Sequence, residues 1–374
     1  MPAAINTTTD MIHLFAEYIW HDGNSELRSK TKVIEYAYST SLNTMGQTER
    51  RKKIYNNLKL DDFDVWNFDG SSTNQASTDK SDLMIKPVKL YPDPFRGYPH
   101  CFVLCEVHNS DMTPHTSNMR SKCVATCTQD TVTALEPWFG IEQEYVLMNR
   151  NHVPLGWRDH NEPGASAKYG EQGPYYCAVG GDRIFGRNIV EEHMSLCLQA
   201  GLKLCGINAE VMGSQWEYQI GPLEPVECSD QMWISRYILH RITEKYDCYA
   251  TFHPKPQLSR FASYNGSGGH TNISTNLMRG EDGMKHILEA IEKLSTKHKE
   301  YIKCTGKDND KRLSGHCETS DIRRFTFGNT NRGSSIRIPV HVAQAQRGYF
   351  EDRRPAANMD PYQVTEAIVR TICA

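Results

Sequence analysis

The sequence predicts an α+β protein: a small β-rich N-terminal domain followed by a larger domain of strands and helices. Three observations carry that prediction. The chain has 374 residues, which at ~150 residues per domain makes about two domains. Before residue 110 apolar residues recur at the period of strands, with little helical pattern. After it, apolar stripes at helical spacing alternate with short strand-like runs.

The elements follow in order. The first residues, MPAAINTTTD, contain no Lys or Arg and no long apolar run. They are expected to be a loose tail, 1–14, and neither a secretory signal nor a transit peptide. Residues 16–21 (AEYIWH) and 30–37 (KTKVIEYA) read as strands. Residues 63–68 (FDVWNF) continue a β-type pattern into the turn-rich DGSST. Residues 101–107 (CFVLCEV) read as a buried strand, and the polar stretch 108–120 marks a boundary. The expected division is therefore a β domain over 15–110 and a larger domain over 111–374. In the latter, 188–200 places Ile189, Met194, Cys197 and Leu198 near one helical face, with Gly201 as a stop. Residues 229–246 open with Ser229 and Asp230 as the expected cap. Residues 283–302 set Met284, Ile287, Leu288 and Ile291 at i, i+3, i+4 and i+7, with Leu294 continuing the stripe. All three stripes are expected to be core.

Composition excludes several classes. Hydrophobic residues make up 39% and charged residues 23%, and the net charge is 42 − 45 = −3. That balance offers no basic field for nucleic acid and no polybasic membrane patch. The longest apolar stretches, such as Cys101 to Cys105, are far too short for a bilayer span. The expected location is the cytoplasm. Twelve cysteines include C-x-x-x-C pairs at Cys101/Cys105 and Cys123/Cys127, not the C-x-x-C of a zinc knuckle. They are expected to be reduced thiols. No internal repeat occurs.

The chemistry gathers in five segments. Gly140–Leu147 (GIEQEYVL) reads as a strand, so Glu142 and Glu144 share a face, their Cα atoms about 7 Å apart. In Asn208–Pro222 (NAEVMGSQWEYQIGP), Gln215, Glu217 and Gln219 face one way and Trp216, Tyr218 and Ile220 the other. A two-residue type II′ turn at Gly213–Ser214 would pair Met212 with Gln215, Val211 with Trp216 and Glu210 with Glu217. Two carboxylates about 5 Å apart repel by about 3 kcal/mol at an effective dielectric near 20, which calls for a cation between them or a retained proton. Tyr264–Ser274 carries three glycines in four residues and His270, an imidazole suited to metal ligation. Gly348–Pro355 places Glu351 beside Arg353 and Arg354, and Asn331–Pro339 contributes Arg332 and Arg337. Taken singly, each segment reads as an ordinary loop or salt-bridge cluster. Together they offer hard oxygen ligands, which favour Mg²⁺ or Mn²⁺, with arginines for phosphate, the components of a metal–nucleotide phosphoryl-transfer site. No G-x-x-x-x-G-K-[ST] loop occurs and no G-x-G-x-x-G follows a strand, so neither a P-loop nor a Rossmann cofactor site is supported.

WNFDGSST (66–73), WFGIEQEY (138–145), NAEVMGSQWEYQIGP (208–222), YNGSGGHTN (264–272), NRGSSIRIP (331–339) and GYFEDRRPAANMDPY (348–362) carry a resemblance. The chain resembles the eukaryotic, type II glutamine synthetases from roughly Tyr18 to the C-terminus. The resemblance implies a β-grasp N-terminal domain and a catalytic domain of antiparallel strands and helices. It implies ATP-dependent ligation of ammonia to L-glutamate, giving glutamine, ADP and phosphate through γ-glutamyl phosphate. Carried over by motif, Glu144, Glu210 and Glu217 hold one Mg²⁺ (or Mn²⁺), and Glu142, His270 and Glu351 hold a second. Asn265, Gly266, Arg312, Arg332 and Arg353 take glutamate; Trp138, Asn272, Ser274, Arg337 and Tyr349 take ATP, with Arg337 also catalytic. Asp69, with Ser72 nearby, is the general base or ammonium ligand, supplied by a neighbouring subunit. Glu318 sits on a flap that shields the intermediate. The implied assembly is a decamer of two pentameric rings, with no nucleic acid or membrane partner.

The sequence departs from the family pattern in places. His316 and Cys317 stand where an aromatic and a His precede the flap Glu, 253–266 is lengthened, and Tyr264 replaces a Trp. Two other readings are a catalytically inactive structural relative and a γ-glutamyl ligase for another amine. Every motif position is filled by a chemically suitable residue, which favours the enzyme.

Overall fold

The computed structural model describes residues 8–157, 172–256 and 264–373. The chain divides into two compact units: Met1–Ser121 with Leu196–Gly201, and Lys122–Ser195 with Leu202–Ala374.

The first unit is built on strands β1 (Thr9–His21), β2 (Leu27–Ser39), β3 (Trp66–Asp69), β4 (Asp82–Pro92) and β5 (Cys101–His108). They form one sheet in the order β2-β1-β5-β4-β3. β1 and β5 run parallel in its centre, and the other neighbours are antiparallel. Strand alternation sends Leu14, Ala16, Tyr18 and Trp20 into a core shared with Phe68, Ile85 and Val103. Because β1 begins at Thr9, residues 9–14 of the expected tail are strand; residues 1–7 lie outside the described residues. Two elements escaped the sequence reading. The helix Gln47–Asn57 buries only Ile54, so it shows no apolar stripe. β4 contains Pro87, a strand breaker, and accommodates it where its register with β5 shifts between Pro87 and Lys89.

The second unit contains β6 (Trp138–Asn149), β7 (Leu204–Ala209), β8 (Gln215–Leu223), β9 (Cys248–Thr251), β10 (Gly269–Ser274), β11 (Phe327–Asn329), β12 (Ile336–Ile338) and β13 (Phe350–Asp352). The sheet order is β11-β12-β13-β10-β6-β8-β7, with β9 pairing β6. Only β11·β12 is parallel. The helix Pro225–Lys245 packs on β6, β8 and β9, and the helix Pro361–Ile372 packs on that helix. Phe139, Ile141, Trp216, Tyr218, Ile220 and Ile273 fill the buried face of the sheet.

The helices refine the sequence reading. Pro225 opens its helix at the first turn, four residues before the expected cap. Ser229 and Asp230 are instead buried in its interior, where Tyr362 donates to the Asp230 carboxylate at 2.6 Å. In Arg187–Gln199 the buried stripe is Ile189, Val190, His193 and Cys197, while Leu198 points outward. In Gly283–Thr296 the stripe is Ile287, Ala290, Ile291 and Leu294, and Leu288 is exposed. The twelve cysteines are all free. Among the described residues no helix is long and apolar enough to cross a membrane.

Candidate active site

The period of two along each strand collects polar side chains on the face of the sheet opposite the helices. Arg337 comes from β12, Glu351 from β13 with Arg353 just beyond it, and His270 and Asn272 from β10. Glu142 and Glu144 come from β6, Glu217 and Gln219 from β8, and Asn208 from β7. Strand register sets His270 opposite Glu142, Glu144 opposite Glu217 and Arg337 opposite Glu351. All of these except Asn272, together with Glu210, Glu318, Arg312, Arg332, Asn265 and Gly266, line one cavity of about 330 Å³.

The β7–β8 connection differs from expectation. The turn does close with Gln215 N–H donating to Met212 C=O at 3.1 Å, but the positive φ of 70° falls on Ser214 and not on Gly213. The turn is therefore not type II′. Two residues bulge out on the first strand, so Ala209, not Val211, pairs with Trp216, and Asn208, not Glu210, faces Glu217. A slip of two residues preserves the face. Glu210, just past the end of β7, therefore still enters the cavity.

The acidic groups crowd one another. Burial, then the charge of Glu210, pushes the Glu144 carboxyl up to about 8. Burial pushes Glu210 up to about 7, with Glu318 adding to it. Burial and the charges of Glu142, Glu144 and Glu210 hold Glu217 well above the usual carboxylate range. Amides brace the set: Gln215 donates to Glu144 at 2.9 Å, Asn208 to Glu210 at 2.9 Å, and Gln219 to Glu217 at 2.5 Å. His270 Nδ1 lies 3.5 Å from Glu142 and from Glu351, and 3.8 Å from Glu144. Burial, then Arg353, keeps its imidazole well below its ordinary pKa and so neutral. Ligand atoms of Glu142, Glu217 and His270 fall within 4.8 Å of one another. That triplet draws on both expected metal sets, which thus face one shared volume. A neutral imidazole among carboxylates that repel each other is a donor set that fits a hard divalent cation.

Cationic groups close the other side. Glu351 is clamped by Arg337 at 2.8 Å and by Arg353 at 2.6 Å. The next pair along the chain, Asp352 and Arg354, is bidentate, fully buried and on the reverse face. Arg312 donates to the Arg353 carbonyl at 2.8 Å and its Nη2 lies 3.2 Å from His270 Nε2. The loop before β10 needs its glycines for close approach. A Cβ on Gly266 would lie 2.3 Å from the Pro254 carbonyl oxygen, and one on Gly268 2.5 Å from His270 Nε2. Glu318 enters the cavity from a loop where Cys317 and Glu318 both adopt positive φ, 52° and 59°, a backbone state costly for residues with a Cβ. Residues 257–263 of the lengthened connection lie outside the described residues; Tyr264, at its end, is buried against Trp157, Tyr175 and Met212.

A second, largely apolar slot of about 440 Å³ shares Glu142 and Gln219 with the first cavity. Trp138, Asn272, Ser274 and Tyr349 line it. Sequence reasoning missed Arg279, whose guanidinium lies 3.9 Å over the Trp138 ring and donates to Ser274 Oγ at 2.9 Å. No motif surrounds Arg279, so nothing in the sequence marked it. Asn208, Gln215 and Gln219 were also missed as braces, although the Gln-x-Glu-x-Gln alternation of β8 carried the signal. Asp69 belongs to the first unit. It is exposed at the end of β3 and accepts from Ser71 N–H at 3.0 Å and from the Ser71 and Ser72 hydroxyls at 2.6 Å each. Those hydroxyl bonds lower its pKa, so it is anionic.

A β-grasp sheet, together with a mostly antiparallel sheet whose open face pools carboxylates, arginines and an apolar slot, defines an enzyme of the metal-dependent, nucleotide-using class. Comparison with known proteins narrows the class. The family models "Glutamine synthetase, beta-Grasp domain" and "Glutamine synthetase, catalytic domain" match residues 15–110 and 119–373. The chain is 47% identical to the glutamine synthetase of Mus musculus over 361 residues, 95% of this chain and 89% of that one. It is 46% identical to the glutamine synthetase of Yarrowia lipolytica over 360 residues, 96% of this chain and 91% of that one. A solved structure described as "Apo GmaS without ligand" superposes with a TM-score of 0.68 at 19% identity, covering 96% of this chain and 76% of that one, and shares the fold. The chain belongs to the glutamine synthetase family. It is a glutamate–ammonia ligase, and the family depends on ATP and a divalent metal.

Proposed function

We propose that this chain makes glutamine in the acid-lined cavity with ATP seated in the adjoining apolar slot. The observation that carries the reading is the convergence of Glu142, Glu144, Glu210, Glu217, His270 and Glu351 with Arg312, Arg332, Arg337 and Arg353 around one cavity. Glu144, Glu210 and Glu217 would hold one Mg²⁺ or Mn²⁺, and Glu142, His270 and Glu351 a second. Such ions, when bound, neutralise phosphate and carboxylate charge. Arg312, Arg332 and Arg353, with Asn265 and Gly266, hold glutamate. Trp138 and Tyr349 flank the base, and Asn272, Ser274 and Arg337 orient the phosphates.

In the first step a γ-carboxylate oxygen of glutamate bonds to the γ-phosphorus, and the bond from that phosphorus to the β,γ-bridging oxygen breaks. ADP leaves and γ-glutamyl phosphate remains. Arg337 stabilises the charge that develops on the transferring group. In the second step ammonium gives a proton to Asp69 of a neighbouring subunit. Ammonia attacks the acyl carbon, the carbon–oxygen bond to phosphate breaks, and the departing phosphate takes the second proton from the new amide nitrogen. Glu318 holds the ammonium and its loop excludes water. Shared sites require an oligomer, for which a decamer of two pentameric rings in the cytoplasm is our reading. The test is phosphate release with glutamate, ATP and Mg²⁺, comparing ammonium, hydroxylamine and larger amines. Release with ammonium supports this reading; release with larger amines alone, or none at all, rejects it.

A further inference from the structure

On the helix Met119–Cys127 the side chains of Cys123 and Cys127 are one turn apart, and their sulfurs lie 3.8 Å from each other. Cys123 is fully buried and its sulfur is 3.5 Å from Thr365 Oγ1 of the C-terminal helix. Cys127 is half-buried and gives access from solvent. A third thiol, Cys373, follows the same C-terminal helix and is close enough to Cys127 for that neighbour, after burial, to push it up to about 11. None of these residues lines the acidic cavity or the apolar slot.

The sulfur separation is that of two thiols in hydrogen-bond contact, and it also fits the bite of a metal chelate. Two thiolates at Zn–S distances of about 2.3 Å around a tetrahedral ion stand about 3.8 Å apart. A direct disulfide is disfavoured here, because helical i, i+4 Cβ atoms are about 5–6 Å apart and a disulfide needs about 3.5–4.5 Å. One interposed atom bridges the gap without bending the helix. Soft sulfur ligands select soft or borderline ions, so this pair and the hard-oxygen cavity sort cations by chemistry.

We propose that Cys123 and Cys127 form a bidentate site for a soft or borderline divalent d¹⁰ cation, separate from the carboxylate site. Binding forms two metal–sulfur bonds and releases two protons, with no change of oxidation state.

The probe is Cd²⁺, added to the full-length reduced protein in excess Mg²⁺ so that the carboxylate cavity is occupied by the hard ion. The expected result is a saturable sulfur-to-metal charge-transfer band in the ultraviolet at one Cd²⁺ per subunit. In Cys127→Ser that band is lost and Cd²⁺ affinity falls by more than about tenfold, beyond the lower end of what losing an outer-shell partner costs. Mg²⁺-dependent glutamine synthesis of this variant is unchanged without Cd²⁺. Cys123→Ser, checked for folding by circular dichroism, behaves alike. A wild-type protein without the band, or a band that survives in both variants and so resides on the exposed Cys177 or Cys205, overturns the proposal. A Cys123–Cys127 disulfide recovered by peptide mapping after mild oxidation, with no Cd²⁺ band in the reduced protein, overturns it as well and leaves an oxidisable pair.

Discussion

Glu217 is the residue under most stress. It is buried, it faces Glu144 across the β6–β8 ladder, and Glu142 and Glu210 press on it as well. An uncompensated cluster of this kind is costly until a cation enters. Replacing Glu217 with Ala should lower kcat/KM by about a thousandfold or more, comparable with removing a key transition-state contact. The same change relieves repulsion, so the melting temperature of the metal-free protein should stay level or rise. Turnover assays and thermal denaturation on one preparation check both, and normal turnover would reject the metal assignment. The pH dependence follows with a definite sign. Glu144 and Glu210 have folded pKa values of about 8 and about 7, above the ordinary 4.5. A carboxyl raised in this way is protonated and tolerated at low pH, and its contribution to stability is lost as pH rises through 7 and 8. A divalent cation takes the place of those protons. The rise in melting temperature on adding Mg²⁺ should therefore be larger at pH 8 than at pH 5.5. Taking the difference with and without Mg²⁺ removes the opposing effect of His193 and His240, buried groups pushed down to about 4. An Mg²⁺ effect independent of pH would contradict the carboxylate assignment.

At the scale of elements, legibility tracked how much of a pattern burial had imposed on the sequence. β6 and β8 were legible because one face is carboxylate and amide and the other aromatic, so a period of two is written in residue type. The same alternation made Glu210 recoverable although its pairing was misread, since the two-residue bulge returns it to the same face. Apolar spacing was a weaker guide on helices. The sequence puts Leu288 and Ile291 in one stripe of Gly283–Thr296, yet Ile291 is 2% exposed and Leu288 43% exposed. Ile291→Ala should cost about 2–5 kcal/mol of stability, and Leu288→Ala within about 0.5 kcal/mol of nothing. Denaturant titration of the two variants checks the contrast. Ser229–Asp230 misled because a polar pair at a stripe boundary looks like a cap, whereas Asp230 is a buried acceptor for Tyr362.

At the scale of the whole molecule the reading requires more than one chain. Asp69 lies in the β-grasp unit and Arg353 in the catalytic unit. An Asp69→Ala protomer and an Arg353→Ala protomer should each be nearly inactive alone. Dissociated together and reassembled, they should regain part of the activity through sites that take Asp69 from one chain and Arg353 from another. No recovery after verified co-assembly would count against a site shared between subunits. Such a site needs its charges delivered faithfully, and β13 shows how narrowly that is arranged. Its run Glu351-Asp352-Arg353-Arg354 reads acid, acid, base, base, so advancing the strand by a single residue would present another acid and another arginine to the cavity. Charge alone hardly distinguishes the two settings. Phe350 does: it is fully buried, meets Ile273 across the ladder, and Ile273 meets Phe139 in turn. A phenyl ring that no substrate touches thus acts as the key that decides which of two nearly synonymous charge pairs is read by the chemistry.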